Sequence, residues 1–170
     1  MSQIELIMLA RAIHIMAGVT WAGATFMLAG VIVPMGMRHG AEGAWRWIGM
    51  IARRMGPISG ISAVLTVLSG MYLFMTLHSH DRSTGGLILA AGAAAAVLSL
   101  GVGLLVGRPT GLKLAKLAGQ IDPTAPPPPS ELQRIAALQA RAMLSSRVTA
   151  ALLGLAVLAM ALFRYAQAII

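Results

Sequence analysis

The stretch that decides the fold is residues 85–107, GGLILAAGAAAAVLSLGVGLLVG, which contains no charged side chain. A bilayer core of about 30 Å requires roughly 20 consecutive, mostly apolar helical residues. Three further stretches meet this requirement, at about residues 12–34, 58–77 and 148–170. Because lipid offers the backbone amides no hydrogen-bond partner, each stretch is expected to be helical. The sequence therefore predicts an all-α, four-helix bundle that is integral to the membrane.

The composition of the whole chain agrees with a single membrane domain over residues 1–170. Hydrophobic residues make up 58% and charged residues 11%, against about 25% charged residues in soluble domains. The first apolar stretch is longer than the core of a cleaved signal peptide, and Glu5 lies where such a peptide is basic. The chain has no cysteine, which excludes disulfides and cysteine-ligated zinc or iron–sulfur centres.

The distribution of basic residues predicts the orientation. Ten of the 13 Lys and Arg residues lie in two segments, 35–57 and 108–147. Basic residues are retained on the cytoplasmic side of a membrane. These segments are therefore predicted to be inner loops, with both termini and the short 78–84 turn on the outer side of a bacterial inner membrane. Membrane insertion accounts for the net charge of +8 without a nucleic-acid partner.

The two predicted inner loops carry their own signals. In the first, Trp45 and Trp47 lie beside several arginines, which suits a short helix lying in the membrane interface. The second begins with a basic helical segment and then contains four consecutive prolines, which form a stiff extended connector. Ser130 and Gln133 have the spacing of a capping box. One helix is therefore expected to run from Glu131 to about Ala168.

His14 is the clearest candidate for chemistry. An ionisable side chain within a membrane span usually faces the protein interior or a ligand. Arg11, His14 and Gly18 share one helical face. The imidazole is suited to ligate a haem iron, the glycine to admit the edge of the macrocycle, and the guanidinium to pair with a propionate. The competing interpretation is a histidine bonded to a neighbouring helix, with Arg11 reaching the lipid headgroups.

His78 and His80 are the candidates for a second ligand, because both lie at the outer end of the second span. His80 continues a face of hydroxyl residues, whereas His78 continues a face with Met71 and Met75. We favour His78 slightly because it lies nearer the membrane, although His80 is better aimed if the hydroxyl face points into the bundle. Arg164, at the outer end of the fourth span, is suited to pair with a second propionate or to anchor the helix at the interface.

Other chemistries are less well supported. Soft thioethers select Cu(I), so His14 or His78 with Met71 and Met75 forms a candidate copper site. No acidic residue lies within a span, which disfavours a proton-driven transporter that relies on a buried carboxylate. The common hydrolase, metalloprotease and phosphate-loop motifs are missing from the sequence.

Three stretches resemble small bacterial membrane proteins of the CopD and HemJ type. They are HIMAGVTWAG at residues 14–23, GMYL at 70–73 and MALFRY at 160–165. The resemblance implies a four-helix membrane fold and carries the helix-one histidine of HemJ-type proteins over to His14. HemJ-type members bind haem b and act as protoporphyrinogen oxidases, and CopD-type members are associated with copper. HemJ-type members also use a lysine in a later membrane helix, and spans two to four of this chain contain none.

The resulting hypothesis is a membrane protein that holds haem b in the outer half of the bundle. His14 is one ligand and His78 or His80 the other, with Arg11 and Arg164 at the propionates. Two histidine ligands fill both axial positions of the iron, which favours electron transfer over oxygen activation. The alternatives are a non-catalytic structural subunit of a larger membrane complex and a copper-handling protein. The expected partners are the lipid bilayer and further membrane subunits or copies of this chain.

Overall fold

The computed structural model of the chain describes residues 2–38, 44–120 and 128–166. Nearly all of these residues are helical, and no strand occurs among them. The helices are α1 (Gln3–Met27), α2 (Val33–Arg38), α3 (Ala44–Leu77), α4 (Thr84–Val102), α5 (Arg108–Ala118) and α6 (Pro129–Ala166). Two π-helical turns, Leu28–Ile32 and Gly103–Gly107, join α1 to α2 and α4 to α5 without a break.

Four helical segments are long and apolar enough to cross a membrane. They are Gln3–Met35, Arg54–Leu77, Thr84–Leu117 and Pro129–Ala166, with mean hydropathies between 1.8 and 2.3. The predicted all-α class and the four apolar helices are therefore confirmed, and they fit a multi-pass membrane protein. The side of the membrane that each end faces stays a prediction.

The helices extend well beyond the apolar stretches, so the predicted loops 35–57 and 108–147 are largely helical. The segment with Trp45 and Trp47 is the first part of α3 and not a separate helix, and Pro57 lies inside that helix. The apolar stretch measures only the part of a helix that crosses lipid, whereas the backbone hydrogen bonds continue into polar sequence. Pro126 and Pro127 of the proline run lie outside the described residues, whereas Pro129, predicted to be part of the extended connector, is the first residue of α6.

The long helix predicted from Glu131 is confirmed as α6, but its predicted start is wrong. The carbonyl of Pro128 accepts hydrogen bonds from the backbone N–H groups of Glu131 and Leu132, at 3.0 and 3.2 Å. Ser130 is therefore inside the first turn and is not a capping residue. A capping box does form at the start of α1, where Ser2 and Glu5 exchange backbone-to-side-chain hydrogen bonds of 2.8 and 3.3 Å.

The bundle consists of two closely packed helix pairs. Helix α1 packs mainly on α3, and α4 packs mainly on α6. The two pairs meet at a core in which Trp21, 4% exposed, lies among small residues such as Ala63 and Ala156. Small residues let helix backbones approach closely, which is how helices gain packing energy where lipid removes the hydrophobic driving force.

Buried hydroxyl groups fix the register of the α4–α6 pair. Ser99 is fully buried, and its hydroxyl donates to the carbonyl of Thr149 at 3.1 Å. The Thr149 hydroxyl donates in turn to the carbonyl of Ser145 at 2.8 Å. Among the described residues, no buried side-chain nitrogen or oxygen lacks a hydrogen-bond partner. These bonds satisfy polar groups that lipid would leave unpaired.

Candidate functional site

A pocket of about 310 Å³ lies at the end of the bundle where α3 finishes. We call it the end pocket, and the described residues that line it are Arg11, Leu77, His78, Phe163 and Arg164. They come from α1, the end of α3 and the end of α6. Its volume is at the lower end of the range for small-molecule sites, about 300–1,000 Å³. The structure therefore brings three of the predicted site residues, Arg11, His78 and Arg164, to one place.

The end of α3 places His78 in this pocket. The His78 N–H donates to the carbonyl of Phe74 at 2.9 Å, and the His78 carbonyl accepts from Asp81 at 3.1 Å as the chain turns. The imidazole packs edge-on against the ring of Phe163, with centroids 5.7 Å apart and an interplanar angle of 85°. Such an aromatic contact is favourable. It holds the half-buried His78 side chain toward α6.

The charge of the end pocket is positive. Arg11 and Arg164 are both exposed, and no carboxylate is among the described lining residues. Of the carboxylates at this end, Glu5 caps α1, and Asp81 accepts a hydrogen bond from the Ser83 N–H at 3.0 Å. A guanidinium group forms strong, directional hydrogen bonds with carboxylate or phosphate. The arrangement is therefore suited to an anionic group.

His14 lies in the seam between α1 and α3. Its Nδ1 is 2.8 Å from the carbonyl oxygen of Thr66 and 3.4 Å from the hydroxyl of Ser69. Because a carbonyl only accepts, Nδ1 is the donor in the short contact. This is the histidine bonded to a neighbouring helix that the sequence offered as the competing interpretation. Gly18 lies in the same seam, where an added Cβ would be 3.6 Å from Thr66 Cγ2.

The structure does not bring His14 and His78 to a common site. His14 contacts α3 at the level of Thr66 and Gly70, whereas His78 is eight residues beyond Gly70. At 1.5 Å per residue this separation is about 12 Å along the helix. His14 is also not among the lining residues of the end pocket. The two imidazoles therefore do not both line the described pocket.

His80 is not among the described lining residues of the end pocket. It is exposed in the turn after α3, and its Nδ1 is 2.9 Å from the hydroxyl of Ser79. The hydroxyl face that it was expected to continue does pack inward, since Ser62 and Thr66 are buried. Helix α3 ends at Leu77, however, so the helical phase of that face does not extend to His80.

The residues suggested for copper do not form a cluster. Met71 and Met75 are exposed on the outside of α3, whereas the His78 ring packs against α6. Within residues 2–38, 44–120 and 128–166, no group of three or more His, Asp or Glu side chains is placed to hold a metal ion. The described geometry therefore adds nothing to the copper hypothesis.

Gly70 supplies a direct test of the packing of His14. A Cβ added at Gly70 would be 2.6 Å from His14 Cε1 and 3.0 Å from Nδ1. Because the imidazole is held by the Thr66 carbonyl, Gly70→Ala is expected to lower the free energy of unfolding by about 1–3 kcal/mol. The measurement is thermal or detergent unfolding of the purified protein.

Gly60→Ala is the matched control for this substitution, because Gly60 lies in the same helix and its Cβ would meet nothing within 4 Å. It is expected to be neutral or slightly stabilising, since alanine is the better helix former. Equal stability of the two variants would show that the imidazole does not occupy the space beside Gly70.

Two residues of the site were missed in the sequence. Phe163 was passed over although it directly precedes Arg164, and Leu77 was treated only as the end of a span. An aromatic residue next to a candidate arginine at the end of an apolar helix is a usable signal. The hydrogen bond between His14 and a backbone carbonyl could not be predicted from the sequence, because every residue type has such a carbonyl.

The fold and the end pocket together define a class, a multi-pass helical membrane protein with a cationic pocket at one end of its bundle. Comparison with known proteins goes no further than this class. No family of proteins, no curated protein and no solved structure matches the chain.

Proposed function

We propose that the chain binds haem b in the end pocket, with His78 as axial ligand of the iron and Arg11 and Arg164 paired with the propionates. The proposal depends on one observation, the convergence of these three side chains from three helices on a pocket without a described carboxylate. Imidazole is a common axial ligand of haem iron, and guanidinium pairs well with carboxylate. The sequence resemblance to HemJ-type proteins favours haem over other anionic ligands of similar size, although the histidine that it marks is His14 and not His78.

The residue types that line the end pocket are suited to haem with one histidine ligand. Haem supplies one-electron redox chemistry when it is bound. The contributions of the chain are to donate an imidazole nitrogen, to neutralise two carboxylates and to provide apolar contact through Leu77 and Phe163. Phe163 also orients His78 through the edge-on ring contact. An electron-transfer role based on two histidine ligands requires a second imidazole in the pocket, and His14 and His80 lie outside it.

We also propose that the end pocket faces the outer side of a bacterial inner membrane. The support is the uneven distribution of basic residues. Ten of the 13 Lys and Arg residues lie in segments 35–57 and 108–147, which adjoin the spans at the opposite end. On this orientation the bound group is accessible from the outer side.

The charge of the end pocket can be tested with a paired variant. In Arg11→Gln/Arg164→Gln both guanidinium groups are lost, and haem affinity is expected to fall by up to about thirtyfold. This estimate takes up to about 1 kcal/mol for each exposed ion pair. The measurement is titration of the purified apoprotein with haem, followed by absorbance.

Arg82→Gln is the control for this titration. Arg82 is exposed at the same end of the bundle but does not line the end pocket. Its substitution is expected to leave the affinity unchanged. An Arg82 variant that binds haem as weakly as the double variant would show that general surface charge, and not the end pocket, attracts the ligand.

A further inference from the structure

The other end of the bundle carries a second basic surface, formed by α5 and the adjoining part of α6. Helix α5 continues the apolar helix α4 through the π-helical turn Gly103–Gly107. Its cationic side chains Arg108, Lys113 and Lys116 are all exposed. Thr110, which is only 3% exposed, lies on the side of α5 opposite Arg108. Helix α5 therefore presents a cationic outer face.

Exposed leucines alternate with the cations on this face. Leu105, Arg108, Leu112 and Lys116 follow a spacing of three or four residues and so lie on one side of the helix. Leu105 is 79% exposed and Leu112 is 63% exposed. A face of leucines and cations at the end of an apolar helix is typical of a segment that contacts lipid headgroups and the upper part of the acyl chains.

Helix α6 adds Arg147 at nearly the same level. A Cβ at Gly107 would be 3.8 Å from the hydroxyl of Ser145, so these two residues mark one level of the bundle. Arg108 is one residue after Gly107, and Arg147 is two residues after Ser145. Because the two helices run in opposite directions, these arginines lie on opposite sides of the shared level along the bundle axis. Their separation along that axis is about 4.5 Å at 1.5 Å per residue. Both side chains are exposed where the apolar parts of their helices end.

The charge at this end is unbalanced among the described residues. The exposed cations are Arg54, Arg108, Lys113, Lys116, Arg134, Arg141 and Arg147, and the described carboxylate at this end is Glu131. Binding of an acidic protein would account for the positive charge of this end but not for its exposed leucines. The interleaved exposed leucines and the position at the edge of the apolar helices favour anionic lipid.

We infer that the start of α5 at Arg108, together with Arg147 of α6, binds the phosphate groups of anionic phospholipids in the adjacent leaflet. Phosphate accepts charge-assisted hydrogen bonds from arginine and lysine, and the leucines lie against the acyl chains. The inference is independent of the proposed haem site, which lies at the opposite end of the bundle.

The test compares Arg108→Gln with Arg134→Gln in nanodiscs of phosphatidylglycerol and of phosphatidylcholine. Both substitutions remove one exposed arginine. Arg134, however, is 11 residues before Ser145 along α6, about 16 Å beyond the shared level. The measurement is the number and affinity of phosphatidylglycerol molecules that stay bound to the protein on native mass spectrometry.

The wild-type protein is expected to retain phosphatidylglycerol in preference to phosphatidylcholine. Arg108→Gln is expected to weaken this binding about fivefold, from the typical contribution of one cation at an anionic surface, while Arg134→Gln leaves it unchanged. Equal retention of both lipids, or equal loss in both variants, would overturn the inference. Unchanged lipid binding in a folded Arg108→Gln would do so too and would leave the basic face to an acidic protein.

Discussion

Replacement of Gly92 by leucine is expected to prevent formation of the folded bundle. A Cβ at this position would be 2.5 Å from the Cβ of Ala159 and 3.4 Å from the carbonyl oxygen of Ala156. Helices α4 and α6 therefore approach so closely that only glycine fits. Overpacking of a core commonly costs about 1–3 kcal/mol, and leucine adds four carbon atoms against backbone. We expect a loss of stability above about 3 kcal/mol, measured by size-exclusion chromatography and thermal unfolding in detergent.

Gly101→Leu controls for the effect of a bulky residue elsewhere in α4. The Cβ at Gly101 would meet nothing within 4 Å, so this variant is expected to remain folded and monodisperse. A Gly92 variant as stable as the Gly101 variant would show that α4 and α6 do not pack as described.

His78→Ala is expected to abolish haem binding, because the end pocket offers no other histidine among its described lining residues. His80→Ala is the matched control, since His80 is exposed two residues away and bonds to Ser79. His14→Ala is expected to keep the haem spectrum and to lower thermal stability, because it removes the hydrogen bond to the Thr66 carbonyl. The measurement is the reduced-minus-oxidised spectrum of each purified variant.

The three histidine variants separate the competing sites. Retention of the spectrum by a folded His78→Ala would contradict the proposed ligand. Loss of the spectrum in His14→Ala alone would place the ligand in the α1–α3 seam, where the sequence first suggested it. Thermal unfolding of each variant shows whether a lost spectrum reflects a lost ligand or a lost fold.

The number and type of helices were predictable from the sequence because they depend on local composition. Residues 85–107 are apolar on every face, and lipid permits few structures other than a helix for such a segment. The ends of the helices were less predictable. The α-helical run of α3 ends at Leu77 although the stripe of polar residues continues to His80. Helix α6 begins at Pro129, before the capping signal at Ser130.

The candidate site was partly predictable for a different reason. Arg11, His78 and Arg164 lie at the same end of their helices, and depth in the membrane can be inferred from distance along each apolar stretch. The role of His14 could not be derived in this way. A histidine in a span can serve a ligand or a neighbouring helix, and the choice depends on how α1 and α3 pack. The contact that the structure shows joins His14 Nδ1 to the backbone carbonyl of Thr66, which every residue type provides.

The central claim is that the end pocket holds haem b. Its most direct test is the reduced-minus-oxidised absorption spectrum of the wild-type protein, purified in mild detergent from cells supplied with haem precursors. We expect a b-type spectrum with about one haem for each chain. A folded, colourless protein that also fails to take up added haem would contradict the claim.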